Sequence, residues 1–319
     1  MTLVEIMVAL VLLGIIGGVI MRVILRQQRF YQGATQIMST RSQLRQATSV
    51  LPVDLRSLSS VGGDVIEATD SSMQFRVNVG TSIVCQIVDG YRVALPPLEL
   101  ASKQTLTSWA GGVPPEDGEA IVAFIYNDSL LAGNEEDRWQ EFRLKRVTYD
   151  ASKCLGPWFT SIADVGKLRP VLELTSSDPS DGVTGGPISR YIKVGAPVRL
   201  ARRVQYRLYQ DPDGKWYLGY SEFDRGLGTF KQLSPVSGPY DPLPSASGMA
   251  SGLTFRYYDV SGVEIPSGSA ATDLARIARV DLVVRGRTVG QVGMEGVQNG
   301  VRQEYRDSLA VSVMLRNRT

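Results

Sequence analysis

The feature that most constrains this chain is an uncharged run of sixteen residues near its N-terminus, Ile6–Met21. At about 1.5 Å per residue, a helix of this length covers about 24 Å, slightly less than the roughly 30 Å hydrocarbon core of a bilayer. The apolar residues 23–25 extend the run if the Arg22 side chain reaches the membrane interface. Because apolar residues cover every face of the helix, we expect a membrane span over about residues 3–25.

Glu5 is a charge at the edge of this predicted span. An ionised carboxylate inside a membrane costs about 2.5–3.5 kcal/mol by insertion scales unless a cation pairs with it. The nearest cation is the α-amino group of residue 1, which is protonated near neutral pH. An ordinary secretory signal peptide is not indicated, because no basic residue precedes the apolar run. The position of Glu5 therefore indicates a carboxylate that has a partner.

The stretch T-L-V-E-I-M-V-A-L-V-L-L-G-I-I, residues 2–16, resembles the mature N-terminus of type IV pilins and pseudopilins. The resemblance implies that prepilin peptidase removes a short basic leader before Met1, whose amine is then methylated. It also implies that Glu5 pairs with the N-terminal amine of a neighbouring subunit during filament assembly. A plain signal anchor with an unrelated glutamate is the competing interpretation.

Two features depart from the pattern of that family. Arg22 stands where many major pilins carry a helix-distorting proline. Arg22, Arg26 and Arg29 also follow the span, and by the positive-inside rule they would place the wrong end in the cytoplasm. A basic leader would restore the expected orientation.

A stripe of apolar residues continues the helical pattern beyond the span. Phe30, Ile37, Leu44 and Leu51 recur every seven residues, close to two helical turns, and we expect this stripe to pack against a β-sheet of the same chain. Pro52 predicts a kink or the end of the main helix, with at most one or two further turns. A helix from residue 2 to residue 51 is about 75 Å long, which predicts a stalk between membrane and globule.

Beyond Gly63 the apolar residues alternate with period two, which predicts strands. We expect strands in "MQFRVNV", "EAIVAFIY", "WQEFRLKRVTY", "LTFRYYDVSG", "RIARVDLVVRG" and "SLAVSVMLRN". Asp89-Gly90 and the stretch from Asp211 to Gly214 predict two hairpin turns. Residues 175–187 and 232–252 are rich in Ser, Gly and Pro, and they predict surface loops, either of which would separate two β lobes.

The predicted fold class is therefore α+β. A long transmembrane and stalk helix occupies residues 1–62 and packs, as in pilins, on a mainly antiparallel β domain of one or two lobes, residues 63–319. Downstream segments such as "VQYRLY", "GLTFRYYDVSG" and "VDLVVRGRT" resemble PilW-type minor pilins and the related GspJ-type pseudopilins of type II secretion. This second resemblance leaves residues 80–200 largely unassigned.

The composition argues against most kinds of catalytic site. The chain contains no His, which removes Ser-His-Asp and Cys-His nucleophile systems and His-bearing zinc sites. Asp178 with Asp181, and residues 134–137, offer oxygen ligands for Ca²⁺, but neither stretch has EF-hand spacing, and solvated acidic loops are the favoured interpretation. We therefore expect no enzyme, no cofactor and no metal.

The distribution of charge indicates which partners are excluded, and the two cysteines bear on the redox state of the compartment. The 34 Lys and Arg residues are dispersed among 32 acids, whereas a nucleic-acid interface shows a clustered basic stripe, so no nucleic acid is predicted. Cys85 and Cys154 lie in no CxxC motif. In an exported chain an even pair favours a disulfide, worth about 4 kcal/mol for a loop of about seventy residues, and two free buried thiols are the alternative.

Three functions from different classes remain. The first is a filament subunit, most like a minor pilin acting in pilus assembly or at the tip, with a type II pseudopilin as the near alternative. Its partners would be other pilin or pseudopilin subunits, the inner membrane before assembly, and prepilin peptidase. The second is a membrane-tethered periplasmic binding protein, and the third is an anchored hydrolase with a Ser-Lys or paired-carboxylate site, which no spacing indicates. Glu5 favours the first function, because a tether gains nothing from a carboxylate at the membrane edge.

Overall fold

The computed structural model describes residues 3–110, 121–127, 138–156, 158–176, 192–224, 227–243, 250–293 and 302–315. These residues form one long N-terminal helix and a domain built on a large antiparallel β-sheet. The coarse prediction of an α+β chain with a long apolar N-terminal helix is therefore confirmed.

Helix α1 spans Leu3–Arg56 and the short helix α2 spans Ala271–Leu274. The strands are β1 (Val65–Ala68), β2 (Ser72–Ile83), β3 (Gln86–Ile87), β4 (Arg92–Ala94), β5 (Ser108–Trp109), β6 (Ile121–Asn127), β7 (Arg138–Asp150), β8 (Arg169–Ser176), β9 (Pro197–Gln210), β10 (Trp216–Asp224), β11 (Thr229–Phe230), β12 (Ser234–Tyr240), β13 (Leu253–Tyr258), β14 (Glu264–Ile265), β15 (Arg279–Gly293) and β16 (Arg302–Met314). A 3-10 turn, Ile162–Asp164, lies between β7 and β8.

Pro52 lies inside α1, which continues to Arg56 instead of ending at Leu51. A proline removes the hydrogen bond to the carbonyl four residues earlier, which weakens a helix locally. Leu51 and Leu55 are completely buried on either side of Pro52, and their packing against the domain stabilises this last turn.

Strands β2 and β9 form a long antiparallel ribbon at the centre of the sheet. Along the other edge of β9, residues 204–210 pair with β10 and residues 198–202 pair with β6. One branch of the sheet runs from β10 through β12 and β15 to β13 and β14, with β16 on the far side of β15. The other branch runs from β6 through β7 and β8 to β4 and β3. Both branches of the sheet therefore start from the same strand, β9.

Each branch of the sheet has its own hydrophobic core. The first core contains buried residues of α1 together with Val204 and Tyr206 of β9. The second core contains Val198 and Leu200 of the same strand and residues of β6, β7 and β8, and in the part of the chain that the structure describes it includes no residue of α1. The two cores divide within β9, not at either of the predicted loops.

The alternating segments lie in strands as predicted, in β2, β6, β7, β13, β15 and β16. Both hairpins are also confirmed, β3–β4 around Asp89-Gly90 and β9–β10 at residues 211–214. The prediction of a loop over 232–252 is wrong for β12, which pairs with β10. Its prolines are tolerated because β12 pairs irregularly with β10 and meets β15 only at Tyr240, so few ladder hydrogen bonds are required of it.

Candidate functional site on the N-terminal helix

The first thirty residues of α1 lie outside the β domain. From Leu3 to Gln32, every side chain that the structure describes is exposed, and burial begins at Gly33. At about 1.5 Å per residue this exposed segment, residues 3–32, extends about 45 Å from the domain. It is the candidate functional site of the chain.

The exposed segment is apolar over most of its length. Sixteen large apolar side chains between Leu3 and Leu25 are each at least 39% exposed in the single chain. The segment is long and apolar enough to cross a membrane. Exposed apolar surface of this extent is typical of a segment that lipid or another protein covers.

Within the part of the chain that the structure describes, three glycines in this segment pack against no other residue. A Cβ atom added at Gly14, Gly17 or Gly18 would meet nothing within 4 Å. Each glycine costs up to about 1 kcal/mol of helix stability relative to alanine. Gly14 and Gly18 lie one helical turn apart on the same face, a spacing that allows a second helix to approach closely in a membrane.

Charged residues flank the apolar part of the exposed segment. Glu5 lies in the first turn of α1, whereas Met1, the predicted site of processing, lies outside the described residues. Arg22, Arg26 and Arg29 follow the apolar part with spacings of four and three, which places them on one side of the helix. The acid and the three arginines are thus separated by about the thickness of a hydrocarbon core.

The second part of α1 packs on the sheet, although not along the whole predicted stripe. Leu44 and Leu51 are buried in the first core and Ile37 is half buried, but Phe30 is 65% exposed, so the prediction is wrong for Phe30. A strict heptad spacing drifts by about 20° per repeat around an α-helix. Val292, the second-last residue of β15, lies 3.1 Å from the position of a Cβ atom on Gly33, so the described part of β15 does not extend to Phe30.

The buried residues of α1 follow the period of the helix more closely than the predicted seven-residue stripe does. Its members on the helix are Thr40, Leu44, Ala47, Leu51 and Leu55. They are spaced by three or four residues, which keeps them on one face of the helix. The predicted stripe does not include Thr40, Ala47 and Leu55, because a seven-residue spacing samples only every second turn.

Glycines on β15 allow α1 to approach the sheet closely. A Cβ atom on Gly286 would lie 3.2 Å from Thr40 Cγ2 and 3.3 Å from Leu44 Cδ2. A Cβ atom on Gly290 would lie 3.1 Å from Gln36 Nε2. Glycine in the interior of a strand is otherwise unfavourable, so close contact with the helix explains both residues.

A partly buried polar contact fixes the last turn of α1. The Tyr206 hydroxyl on β9 donates a hydrogen bond to Asp54 Oδ2 at 2.7 Å. Burial raises the pKa of the Asp54 carboxyl, while the bond from Tyr206 lowers it. Burial, with the neighbouring charge of Asp54, also raises the pKa of Tyr206. The hydroxyl therefore remains a donor and keeps the helix in register with β9.

The segment after α1 is held by a fully buried acid, Asp64. Asp64 is 1% exposed and accepts a hydrogen bond from the Ser59 backbone N–H at 2.7 Å. Both terminal nitrogens of Arg199 on β9 also donate to the Asp64 carboxylate. Burial raises the pKa of Asp64, and the positive charge of Arg199 opposes that rise. No sequence pattern indicates this contact, because 135 residues separate the partners.

The cysteines and the acidic stretches lie away from the helix. Cys85 and Cys154 form a disulfide with a Cα–Cα distance of 5.6 Å, beside the second core. No cluster of three or more possible metal-ligating side chains occurs among the residues whose placement is described. The candidate calcium ligands Asp178, Asp181 and residues 134–137 lie outside those residues.

Comparison with known proteins adds no relative to this picture. No family model, no curated protein and no solved structure matches the chain.

Proposed function

We propose that this chain is a structural subunit of a type IV pilus-like filament, most like a PilW-type minor pilin that acts in pilus assembly or at the tip. A GspJ-type pseudopilin of type II secretion is the near alternative. The observation that carries the proposal is the exposed segment of α1, which extends about 45 Å beyond the β domain with its apolar side chains uncovered.

The attachment of the helix supports a filament subunit more than a tether. A tether requires only a span, and a flexible link to the domain is sufficient for it. Here the helix is continuous from the apolar end into the first core, and the contacts at Gly286 and Asp54 hold it against the sheet. A rigid projecting helix suits a subunit that packs among the helices of its neighbours, and Gly14 and Gly18 leave room for such packing.

The proposal also places the chain in the cell and names its partners. The exposed segment lies in the bacterial inner membrane before assembly and packs on other pilin or pseudopilin subunits afterwards, in a periplasmic or cell-surface filament. Prepilin peptidase processes the chain at Met1, and Glu5 pairs with the N-terminal amine of a neighbour. The role is structural and not enzymatic, without a cofactor and without nucleic acid.

Fractionation of cells that express the tagged full chain with its neighbouring genes tests this proposal. A filament subunit is recovered both in the membrane pool and in filaments sheared from the cells, and its presence in filaments depends on the other subunits. Recovery in the membrane alone, under conditions in which filaments form, would contradict the proposal and favour the membrane-tethered binding protein.

A further inference from the structure

Strand β16 lies at the edge of the sheet. Among the residues that the structure describes, it pairs with β15 along one side and with no strand along the other. β16 has thirteen residues, about twice the usual length of a strand. An edge strand carries a row of backbone N–H and C=O groups that have no partner in their own sheet, and these groups can pair with a strand of another chain.

The second half of β16 lacks the features that protect an edge strand from such pairing. Natural edge strands are protected by charged side chains, prolines and bulges. The first half of β16 carries Glu304, Arg306 and Asp307, and its register with β15 shifts there. Residues 308–314, which we call the free edge, contain no charge and no proline and keep a regular register. Five of these seven residues are exposed.

The side chains of the free edge differ between the two faces of the sheet. Leu309 and Val311 lie opposite Val284 and Leu282, two residues of the first core, and therefore on the face that α1 covers. The intervening small residues lie on the opposite face, which we call the outer face: Ser308, Ala310 and Ser312. A strand that pairs with the free edge would continue the apolar pattern on the α1 side, where Leu309 is still 36% exposed.

Two arginines without a carboxylate partner lie on the outer face near the free edge. Arg285 is opposite Ser308 in the ladder, and its Nη1 donates to the Ser251 carbonyl at 2.8 Å and to Thr254 Oγ1 at 3.0 Å. Its Nε and Nη2 make no hydrogen bond to any residue whose placement is described. Arg256 on β13 is exposed and forms no ion pair within the described part of the chain. The outer face therefore carries positive charge that is not compensated.

The acids of the outer face are paired with other arginines. Asp281 lies 3.2 Å from Arg279. Glu304 lies 3.4 Å from Arg287 and 3.8 Å from Arg306. These two acids therefore do not neutralise the two arginines described above.

Two cavities on the outer face connect these arginines with the free edge. The first has a volume of about 370 Å³, and its lining includes Arg285 and Ser308. The second, of about 200 Å³, shares Arg285 and extends to Arg256, Ala310 and Ser312. Because a guanidinium binds a carboxylate through strong charge-assisted hydrogen bonds, carboxylates at alternate positions of an added strand fit these cavities.

We propose that the free edge pairs with an extended segment of a second protein in which acidic residues alternate with apolar ones. Backbone hydrogen bonds to β16 supply the affinity, and the carboxylates that face Arg285 and Arg256 supply the specificity. A second copy of this chain does not fit, because it would bring another basic outer face beside the first. Nucleic acid lacks the alternating N–H and C=O groups that an edge strand pairs with. This inference goes beyond the proposed function and does not depend on it.

Peptide binding to the purified full chain in a neutral detergent tests the inference. The probe is a short fluorescent peptide that alternates Val with Glu, and fluorescence anisotropy measures its Kd. Three comparison probes are the same peptide with Lys in place of Glu, the same peptide with N-methyl groups on its two central residues, and oligo-dT. We expect the Glu peptide to bind at least about tenfold more tightly than each of them, because Lys reverses the charge and N-methylation removes backbone donors.

Variants of the chain locate the binding site. Ala310→Glu places an acid beside the second cavity and should weaken binding of the Glu peptide about tenfold, whereas Ala310→Lys should not weaken it. Arg256→Gln should weaken binding about threefold, as expected for one exposed ion pair. Arg207→Gln is its matched control, because Arg207 is an exposed arginine on β9, and it should leave the Kd unchanged. All three positions are exposed, so the thermal stability of the domain should not change.

Several results would overturn the inference. Equal binding of the Glu and Lys peptides would exclude the charge complementarity, and undiminished binding of the N-methylated peptide would exclude strand pairing. Tighter binding of oligo-dT would identify nucleic acid as the ligand instead. Absence of binding by the Glu peptide, or equal affinities of Ala310→Glu and Ala310→Lys, would exclude the free edge as its site. Because the assay contains no filaments, each of these results leaves the proposed filament function standing.

Discussion

Arg199 donates hydrogen bonds to Asp64 from both terminal guanidinium nitrogens, and this pair joins the segment that follows α1 to the central strand of the sheet. The bond from Nη1 to Oδ2 measures 3.0 Å, and the carboxylate is 1% exposed. Since β9 also contributes to both cores, the pair ties the base of the helix to the strand that organises the whole domain. The direction of the exposed segment is therefore set by the fold of the domain.

Removal of one partner of this pair should destabilise the domain strongly. Asp64→Ala leaves the Arg199 guanidinium, whose side chain is only 17% exposed, without its carboxylate, and we expect a loss of about 3–5 kcal/mol in the free energy of unfolding. The double variant Asp64→Ala with Arg199→Met should lose less than the sum of the single variants. Urea unfolding of all four proteins measures the coupling, and strictly additive losses would contradict it.

The close approach of α1 to β15 predicts a second sensitive position. Gly286→Val should destabilise the domain by about 1–3 kcal/mol, because the new side chain meets Thr40 and Leu44 at little more than 3 Å. Ser312→Val, at an exposed position on the neighbouring strand, is the control and should be nearly neutral. The midpoints of thermal unfolding compare the two variants. Equal stability of both would show that the helix does not press on the strand at Gly286.

The disulfide predicts a simple chemical result. Digestion of the exported chain without reductant should release one linked pair of peptides that contain Cys85 and Cys154. Replacement of both residues by serine should lower the free energy of unfolding by about 4 kcal/mol in the chain-entropy model. Rapid alkylation of two free thiols in the native chain would contradict this prediction.

Asp54 predicts a dependence of stability on pH. Because its folded pKa is raised, the protonated carboxyl is favoured in the folded state. The ionised Asp54 carboxylate therefore lowers the free energy of unfolding. This effect is absent below the unfolded pKa of about 4, grows as pH rises towards the folded pKa, and is constant above the folded pKa. Asp54→Asn retains an acceptor for Tyr206 and does not titrate.

The variant should therefore gain stability relative to the wild type between pH 4 and the folded pKa of Asp54. The carboxylate is partly screened by solvent, so we expect a gain of about 0.5 kcal/mol. Urea unfolding at several pH values from 4 to 7 gives this difference directly, and Asp70→Asn, at an exposed position before β2, serves as the control. A constant difference across the range would exclude the raised pKa.

The sequence predicts the helix and the long strands well because their patterns are local. The uncharged run of α1 and the period-two alternation of β13, β15 and β16 are each set by residues close in sequence. The prediction is wrong for Phe30, which is exposed, because periodicity gives the face of a helix but not how far along it the contacts with the domain extend. β12 was missed because Pro235 and Pro239 hide a strand whose irregular pairing tolerates them.

The contacts that position the site are less accessible to sequence reasoning. Asp64 with Arg199 and Asp54 with Tyr206 join residues more than a hundred positions apart, and nothing local distinguishes these acids from solvated ones. Glu5 is the opposite case, since its significance comes entirely from its place at the edge of an apolar run.

Recovery of Glu5 variants in filaments tests the central claim most directly. Tagged full-length wild type, Glu5→Leu and Glu5→Gln are expressed with wild-type partners, and the amount in sheared filaments is divided by the amount in the membrane. Gln27→Leu, which also replaces a polar residue of the exposed segment with an apolar one, is the control. Glu5→Leu should insert into the membrane at least as well as the wild type, because a costly charge has been removed.

The Glu5→Leu ratio should nevertheless fall at least about tenfold, because the amine of a neighbouring subunit then lacks its partner in a low-dielectric environment. Glu5→Gln should fall between the two, since it keeps hydrogen bonds but loses the charge, and Gln27→Leu should match the wild type. A wild-type ratio for Glu5→Leu would contradict the role of Glu5 in docking, and the chain would then be better explained as a membrane-tethered binding protein.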